Sequence, residues 1–131
     1  EAGDIEGAKE TAIGIDNKYQ KSKTLREIAS VQIDVAKGQK EDGHIDEARQ
    51  TLEEAKETAK GIDDQDYQSD TRCSIAKSQA EVAKAQAEVE DIDKAKQTIE
   101  EAKVTASMIE YESFKNDALA KISEYEPHIS K

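Results

Sequence analysis

The chain has 131 residues, of which 37% are charged and 4% are aromatic, with one proline and a formal net charge of −11. Binding to phosphate groups requires clustered lysine and arginine, so this acidic balance argues against nucleic-acid partners and anionic membrane surfaces. No apolar run approaches the roughly 18 residues of a membrane span, and no signal peptide is visible. The single Cys73 suits a reducing compartment. We therefore expect one cytoplasmic domain over residues 1–131.

The feature that organises the chain is an internal repeat. Residues 45–62, IDEARQTLEEAKETAKGI, return 47 positions later at residues 92–109 as IDKAKQTIEEAKVTASMI, with 12 of 18 positions identical. A form shortened by one heptad, IEGAKETAIGI, stands at residues 5–15. Apolar residues recur at steps of three and four in each copy, which predicts one buried face of an α-helix. Half of this face is alanine, so each helix needs neighbours to bury enough area.

The predicted helices follow from these faces and from the signals between them. Asp4 can cap the first helix, and Asp91 can cap the fifth. Gly43 marks the end of the second helix, because glycine readily adopts the left-handed conformation that stops a helix. Pro127 is expected to end the last helix and leave a frayed tail. The six predicted helices span about 5–15, 19–41, 45–61, 67–88, 92–109 and 113–126.

The predicted connections hold two to five residues, which makes consecutive helices antiparallel neighbours. Three units follow, at about 1–42, 43–90 and 91–131. The expected architecture is therefore all-α, with antiparallel hairpins stacked as a short α-solenoid of six helices. A shortened first unit in a chain that starts at Glu1 suits a piece of a longer array.

The repeat resembles the tetratricopeptide (TPR) family. That family carries a small residue in the first helix and a turn glycine, matched here by Ala36, Ala83, Gly3 and Gly43. Its second helix has bulky residues alternating with alanines at fixed spacing. The matching residues are Ile45, Ala48, Leu52 and Ala55, and again Ile92, Ala95, Ile99 and Ala102.

The chain also departs from the TPR pattern. Its unit has 47 residues instead of the family's usual 34, and Glu90 stands where the turn glycine belongs. Glutamines occupy positions where the family usually has first-helix aromatics: Gln32, Gln39, Gln79 and Gln86. The resemblance implies a scaffold that binds a peptide or a helix in a concave groove.

Three groups of residues could carry chemistry, and each has a plainer interpretation. Glu41 and His44 have the E-x-x-H spacing of di-iron bundles, but a second motif is missing and Gly43 lies inside the first, so we interpret it as a solvated turn. The aspartates at 63, 64, 66 and 70 lack the glycine and glutamate of a calcium loop, and helix capping explains them. Cys73 is expected to be a small, partly buried residue. We predict no enzyme activity, no metal and no cofactor.

The candidate partner-binding residues are the glutamines and two tyrosines. Gln32 and Gln79 lie at the centre of apolar faces, so their amides are either buried and bonded to neighbouring helices or exposed in the groove to a partner's backbone. Tyr19, Tyr67 and Phe114 recur after the turns, as an aromatic binding ladder or as packing for each turn. The threonines that recur at 11, 58 and 105 are expected to flank the helix contacts.

The leading functional prediction is a non-enzymatic interaction module that binds a protein or peptide, and the net charge of −11 favours a basic partner. The alternative is a structural segment that assembles with itself, weakly, through its terminal hairpins. A third possibility is an engineered helical scaffold, which the irregular loops and the unequal first copy argue against.

Overall fold

The computed structural model describes Ile5, residues 7–9 and residues 18–129, and contains no strand in that part of the chain. The all-α prediction is confirmed for these residues. Ile5 and residues 7–9 are helical, and five helices with defined bounds follow. They are α1 (Lys18–Glu41), α2 (Ile45–Lys60), α3 (Gln65–Glu88), α4 (Ile92–Ser107) and α5 (Glu112–Ile129).

The predicted bounds of these five helices agree with the structure to within about two residues, except at the end of α5. The strongest sequence signals for these bounds were the apolar residues that recur at steps of three and four and the helix-breaking residues between the repeat copies. The rest of the predicted first helix and the cap predicted at Asp4 lie outside the described residues.

The prediction that Pro127 ends the last helix is wrong, because α5 continues to Ile129 with the proline inside it. Proline lacks an N–H group, so it removes one bond to the preceding turn. Ile129 is 1% exposed and packs in the core. Burying such a side chain contributes roughly 1.5–3 kcal/mol, which offsets the lost bond near a helix end. The predicted frayed tail is therefore wrong as far as Ile129.

The turns after α1 and α3 share one backbone geometry. Gly43 has a φ of +88°, and the next backbone N–H donates to the carbonyl of Gln39 at 2.8 Å. Glu90 has a φ of +64°, and the N–H of Asp91 donates to the carbonyl of Gln86 at 2.9 Å. Both are helix-ending motifs with a left-handed residue. Glu90 thus occupies the left-handed position that glycine usually takes in such a turn, at a steric cost of about 1–2 kcal/mol.

The helices pack in pairs that follow the repeat. α1 packs on α2, and α3 packs on α4. The equivalent helices α1 and α3 also contact each other, as do α3 and α5, while α2 contacts α3 and α4 contacts α5. Hydrogen bonds that link residue 32 to residue 58 and residue 39 to residue 51 show that α1 and α2 run antiparallel.

Two apolar clusters form the core, one for each complete hairpin. The first joins α1, α2 and α3 around Leu25, Leu52 and Ile75, and the second joins α3, α4 and α5 around Ile99 and Ile122. Alanines fill much of both clusters and are fully buried on α2 and α4. Small side chains let the helix backbones approach closely, so the alanine-rich seams predicted from the repeat do face neighbouring helices.

Candidate functional site

The surface between α1 and α3 carries a cavity of about 280 Å³, which we call the α1–α3 groove. Residues of both helices line it because the two equivalent helices lie side by side there. The lining residues are Ser30, Ile33, Asp34, Lys37, Ser74, Lys77, Ser78 and Glu81. Two lysines and two carboxylates therefore balance one another in the groove. The acidic excess of the chain lies elsewhere on the protein.

The structure brings the predicted candidates Tyr19 and Tyr67 together near the beginning of α1 and α3. Their hydroxyl oxygens lie 2.7 Å apart, and their ring centroids lie 5.7 Å apart. The guanidinium of Arg26 stacks 4.8 Å from the centre of the Tyr67 ring and donates to Asp70 at 3.2 Å. Tyr19 remains 53% exposed. The pair therefore forms an aromatic surface on the same helix pair as the α1–α3 groove.

Hydrogen bonding raises the pKa of Tyr67 above its ordinary value, chiefly through the bond to Tyr19 and secondarily through desolvation. The Tyr67 phenol therefore remains neutral near pH 7. A tyrosine pair can stack on a partner's side chains and exchange hydrogen bonds with them, as tyrosines at protein interfaces do. Phe114, the third member of the predicted ladder, instead packs partly buried against the second core cluster.

The predicted candidates Gln32 and Gln79 are both buried, at 2% and 1% exposure. The hydroxyl of Thr58 donates to Oε1 of Gln32 at 2.8 Å, and the hydroxyl of Thr105 donates to Oε1 of Gln79 at 2.8 Å. Nε2 of Gln79 also lies 3.4 Å from a carboxylate oxygen of Glu53. These bonds favour the structural interpretation of the two amides over the partner-binding one, which stays a prediction.

Gln39 and Gln86 occupy positions one heptad after the first two glutamines. The hydroxyl of Thr51 donates to Oε1 of Gln39 at 2.7 Å. Thr98 is the counterpart of Thr51, yet its hydroxyl and both amide atoms of Gln86 are buried without a hydrogen-bond partner among the described residues. Each complete hairpin thus carries two glutamine–threonine positions across its helix contact, and one of the four is unpaired.

This glutamine–threonine pairing was missed by the sequence analysis, which treated the threonines as flanking residues. The signal was present in the spacing. Glutamines one heptad apart on one helix meet threonines one heptad apart on the next, in reverse order, as an antiparallel hairpin requires. Thr11, the third recurring threonine, lies outside the described residues.

A second polar surface joins α2 to α4, where a cavity of about 470 Å³ opens. Arg49 donates to both carboxylate oxygens of Glu101, at 3.0 and 2.6 Å, and Lys94 donates to Asp46 at 3.0 Å. The bond to Glu101 raises the pKa of Arg49. A bidentate arginine–carboxylate pair fixes relative orientation. These ions therefore tie the repeated helix of one unit to that of the next.

Cys73 is buried, and desolvation raises the pKa of its thiol to about 11, with the neighbouring Asp117 carboxylate as the next cause. Its Sγ lies 3.6 Å from Oδ2 of Asp117. A thiol with this pKa is almost fully protonated near neutral pH and is a poor nucleophile. The structure places Cys73 as a packing residue, more deeply buried than predicted.

The other candidates for chemistry are capping or solvated groups. Asp64 caps α3 by accepting from the backbone N–H of Tyr67 at 3.0 Å, as predicted for this aspartate cluster. His44 is exposed, with Nδ1 3.4 Å from Glu47. Among residues 5, 7–9 and 18–129, no three histidine, cysteine or carboxylate side chains are grouped to hold a metal ion.

Comparison with known proteins gives no family to assign: no protein-family model, no curated protein and no solved structure matches this chain. In the part of the chain that the structure describes, none of the helices combines the length and the apolar character needed to cross a membrane.

Proposed function

We propose that this protein is a non-enzymatic interaction module, a short TPR-like solenoid that binds a peptide or helix of another protein along the α1–α3 groove. The observation that carries this proposal is the 280 Å³ cavity between two equivalent helices, together with the exposed tyrosine pair on the same helices. Tyrosine and arginine are enriched where proteins recognise one another.

The packing of equivalent helices supports the solenoid part of the proposal. α1 contacts α3 and α3 contacts α5, so the same relation between first helices occurs twice along the chain. Repeat proteins gain extended binding surfaces by repeating one such relation.

The groove suits a polar segment better than an apolar one. Ser30 and Ser74 are exposed and offer hydroxyl groups, while Lys37 and Glu81 offer charges of both signs. A partner with alternating charges would match this lining. The overall net charge of −11 would still speed the encounter with a basic partner through long-range attraction.

A peptide-display selection tests the proposal. Peptides selected on the wild-type chain should lose at least about tenfold in affinity when Ser74→Arg fills the groove, because a long charged side chain would occupy the peptide's place. Tyr19→Ala should weaken the same peptides. Ser107→Arg is the matched control, since Ser107 is an exposed serine on α4 and should leave affinity unchanged. Fluorescence anisotropy measures all three.

Peptides that bind wild type and Ser74→Arg equally would show that the groove is not the binding surface. A selection that yields no peptide tighter than about 1 mM would also contradict the proposal.

A further inference from the structure

We propose that copies of this chain associate head to tail, with the outer face of α5 in one copy packed on the outer face of α1 in the next. The contact is made by Glu124 with Lys23 of the next copy and by His128 with Glu27 of the next copy. It uses neither the tyrosine pair nor the cavity lining of the α1–α3 groove, so it stands or fails independently of the proposed function.

The 47-residue repeat makes every position of α1 equivalent to one of α3, and reveals an open face on α1. Ser78 and Val82 of α3 are 6% and 2% exposed and share a cleft with Ala36 of α1. Their counterparts 47 residues earlier are Val31 and Val35, which are 48% and 39% exposed. The face that α1 covers on α3 is therefore uncovered on α1 itself.

The helix α5 also has an open face, which corresponds to the side of α3 that packs on α5. On α3 this face carries Cys73, which is buried and lies 3.6 Å from Asp117 of α5. The counterpart of Cys73 on α5 is Ala120, which is exposed, and so is Ser123, the counterpart of the buried Ala76. At one end, α5 therefore exposes the kind of face that α3 offers to α5. At the other end, α1 exposes the kind of face that α3 offers to α1.

The charges across the α3–α5 contact show how two copies would match. Lys77 of α3 lies 3.0 Å from Asp117 of α5, and Glu81 of α3 lies 3.7 Å from Lys121 of α5. The positions one repeat after Lys77 and Glu81 are Glu124 and His128 of α5. The positions two repeats before Asp117 and Lys121 lie on α1.

Those counterparts on α1 are Lys23 in place of Asp117 and Glu27 in place of Lys121. Glu124 and Lys23 therefore form a charge pair with the signs reversed relative to Lys77 and Asp117, and the Glu27 carboxylate faces the His128 imidazole, which can donate a hydrogen bond to it. Lys23, Glu27, Glu124 and His128 are all exposed in the described structure. Docking α1 onto α5 as α5 docks onto α3 would bring them together.

The contact is heterologous, since different surfaces of the two copies meet, and such contacts form open rows unless the rotation closes a ring. Its centre is polar and small in apolar area, so the association is weak, with a dissociation constant of about 0.1–1 mM.

Sedimentation velocity on the full chain tests this arrangement. The weight-average mass of wild type should rise with concentration up to about 1 mM. Lys23→Glu and Glu124→Lys should each weaken association about five- to tenfold, because each reversal faces like charges. The double variant should restore the wild-type dissociation constant to within about twofold. Lys96→Glu, a charge reversal at an exposed lysine of α4, is the control and should not change it.

Circular dichroism should show that every variant keeps its helical content, because all the changed residues are exposed. A wild-type mass that stays monomeric up to 1 mM would overturn the proposal. So would association that the two single reversals do not weaken, or that the double variant does not rescue. A weight-average mass that levels off at the dimer, with no recovery of association in the double variant, would indicate a two-fold symmetric contact through Val31 and Val35 instead.

Discussion

Replacing Gln86 with leucine should stabilise the protein, whereas the same change at Gln79 should destabilise it. The two glutamines lie seven residues apart on α3, and both are buried, at 2% and 1% exposure. Gln79 accepts a hydrogen bond from Thr105 at 2.8 Å, while both amide atoms of Gln86 lack partners among the described residues. The two substitutions are therefore matched in helix, burial and chemistry, and differ in the bond that is lost.

The magnitudes follow from what each change leaves behind. An unpaired buried polar group costs about 1–3 kcal/mol, so exchanging Gln86 for leucine of similar volume should add about 1–2 kcal/mol to the free energy of unfolding. Gln79→Leu removes the bonds to Thr105 and Glu53, but the Thr105 hydroxyl keeps the Glu101 carbonyl at 3.1 Å, and the partly exposed Glu53 carboxylate keeps Lys56 at 3.4 Å. The loss should therefore be limited to about 1 kcal/mol.

Urea denaturation followed by circular dichroism measures both values, and equal m-values would show that the unfolding transition is comparable. Thermal melting should show an increase of about 3–12 °C for Gln86→Leu and a decrease of about 3–6 °C for Gln79→Leu. Gln32→Leu serves as a second control and should behave like Gln79→Leu, since Gln32 has the same bond to Thr58. Destabilisation by Gln86→Leu would refute the reasoning, because it would show that an ordered water satisfies the amide in solution.

Three further predictions concern the turns, the charges and the thiol. In urea denaturation, Glu90→Gly should stabilise the chain by about 1 kcal/mol because it removes a glutamate from the left-handed conformation, and Gly43→Ala should destabilise it by a similar amount. Changes in the free energy of unfolding that have the same sign would contradict the turn geometry. A double-mutant cycle on Arg49→Gln and Glu101→Gln should give a coupling of about 0.5–1 kcal/mol that falls with added salt, and salt-independent coupling would count against an ion pair. Cys73, with a pKa of about 11, should react with a thiol reagent at pH 8 only after denaturant unfolds the chain, and fast reaction of the native protein would contradict its burial.

The helices and their bounds could be read from the sequence because periodicity and turn residues act locally. The apolar face of residues 45–62 and the stop at Gly43 need no knowledge of the rest of the chain. Pro127 was misjudged for the opposite reason. Its local preference to end a helix is outweighed by the burial of Ile129, which depends on where α5 lies against α3 and α4.

The candidate site was less predictable, since it depends on which positions meet across helices. The sequence placed Tyr19 and Tyr67 after corresponding turns, 48 positions apart and so one residue out of step with the 47-residue repeat, and this does not show that their hydroxyl groups touch. The net charge of −11 favoured a basic partner but could not show that Lys37 and Lys77 balance the carboxylates in the α1–α3 groove. Only the side-by-side packing of α1 and α3 decides which charges share that surface.

The glutamine–threonine pairs also explain how an alanine-rich hairpin keeps its alignment. Alanines repeat every seven residues on α2, so sliding α2 by one heptad against α1 would still bury alanine on alanine. It would not preserve the polar pairs: Gln32 would meet Thr51, while Gln39 and Thr58 would lose their partners inside the contact. An unpaired buried group such as Thr58 costs about 1–3 kcal/mol, and the partly buried Gln39 would add less, against a stability of about 5–15 kcal/mol for a typical domain. The polar pairs thus disfavour a one-heptad shift that the alanines alone would allow. In the second hairpin the Gln79–Thr105 pair has this effect, whereas Gln86 and Thr98 are unpaired among the described residues.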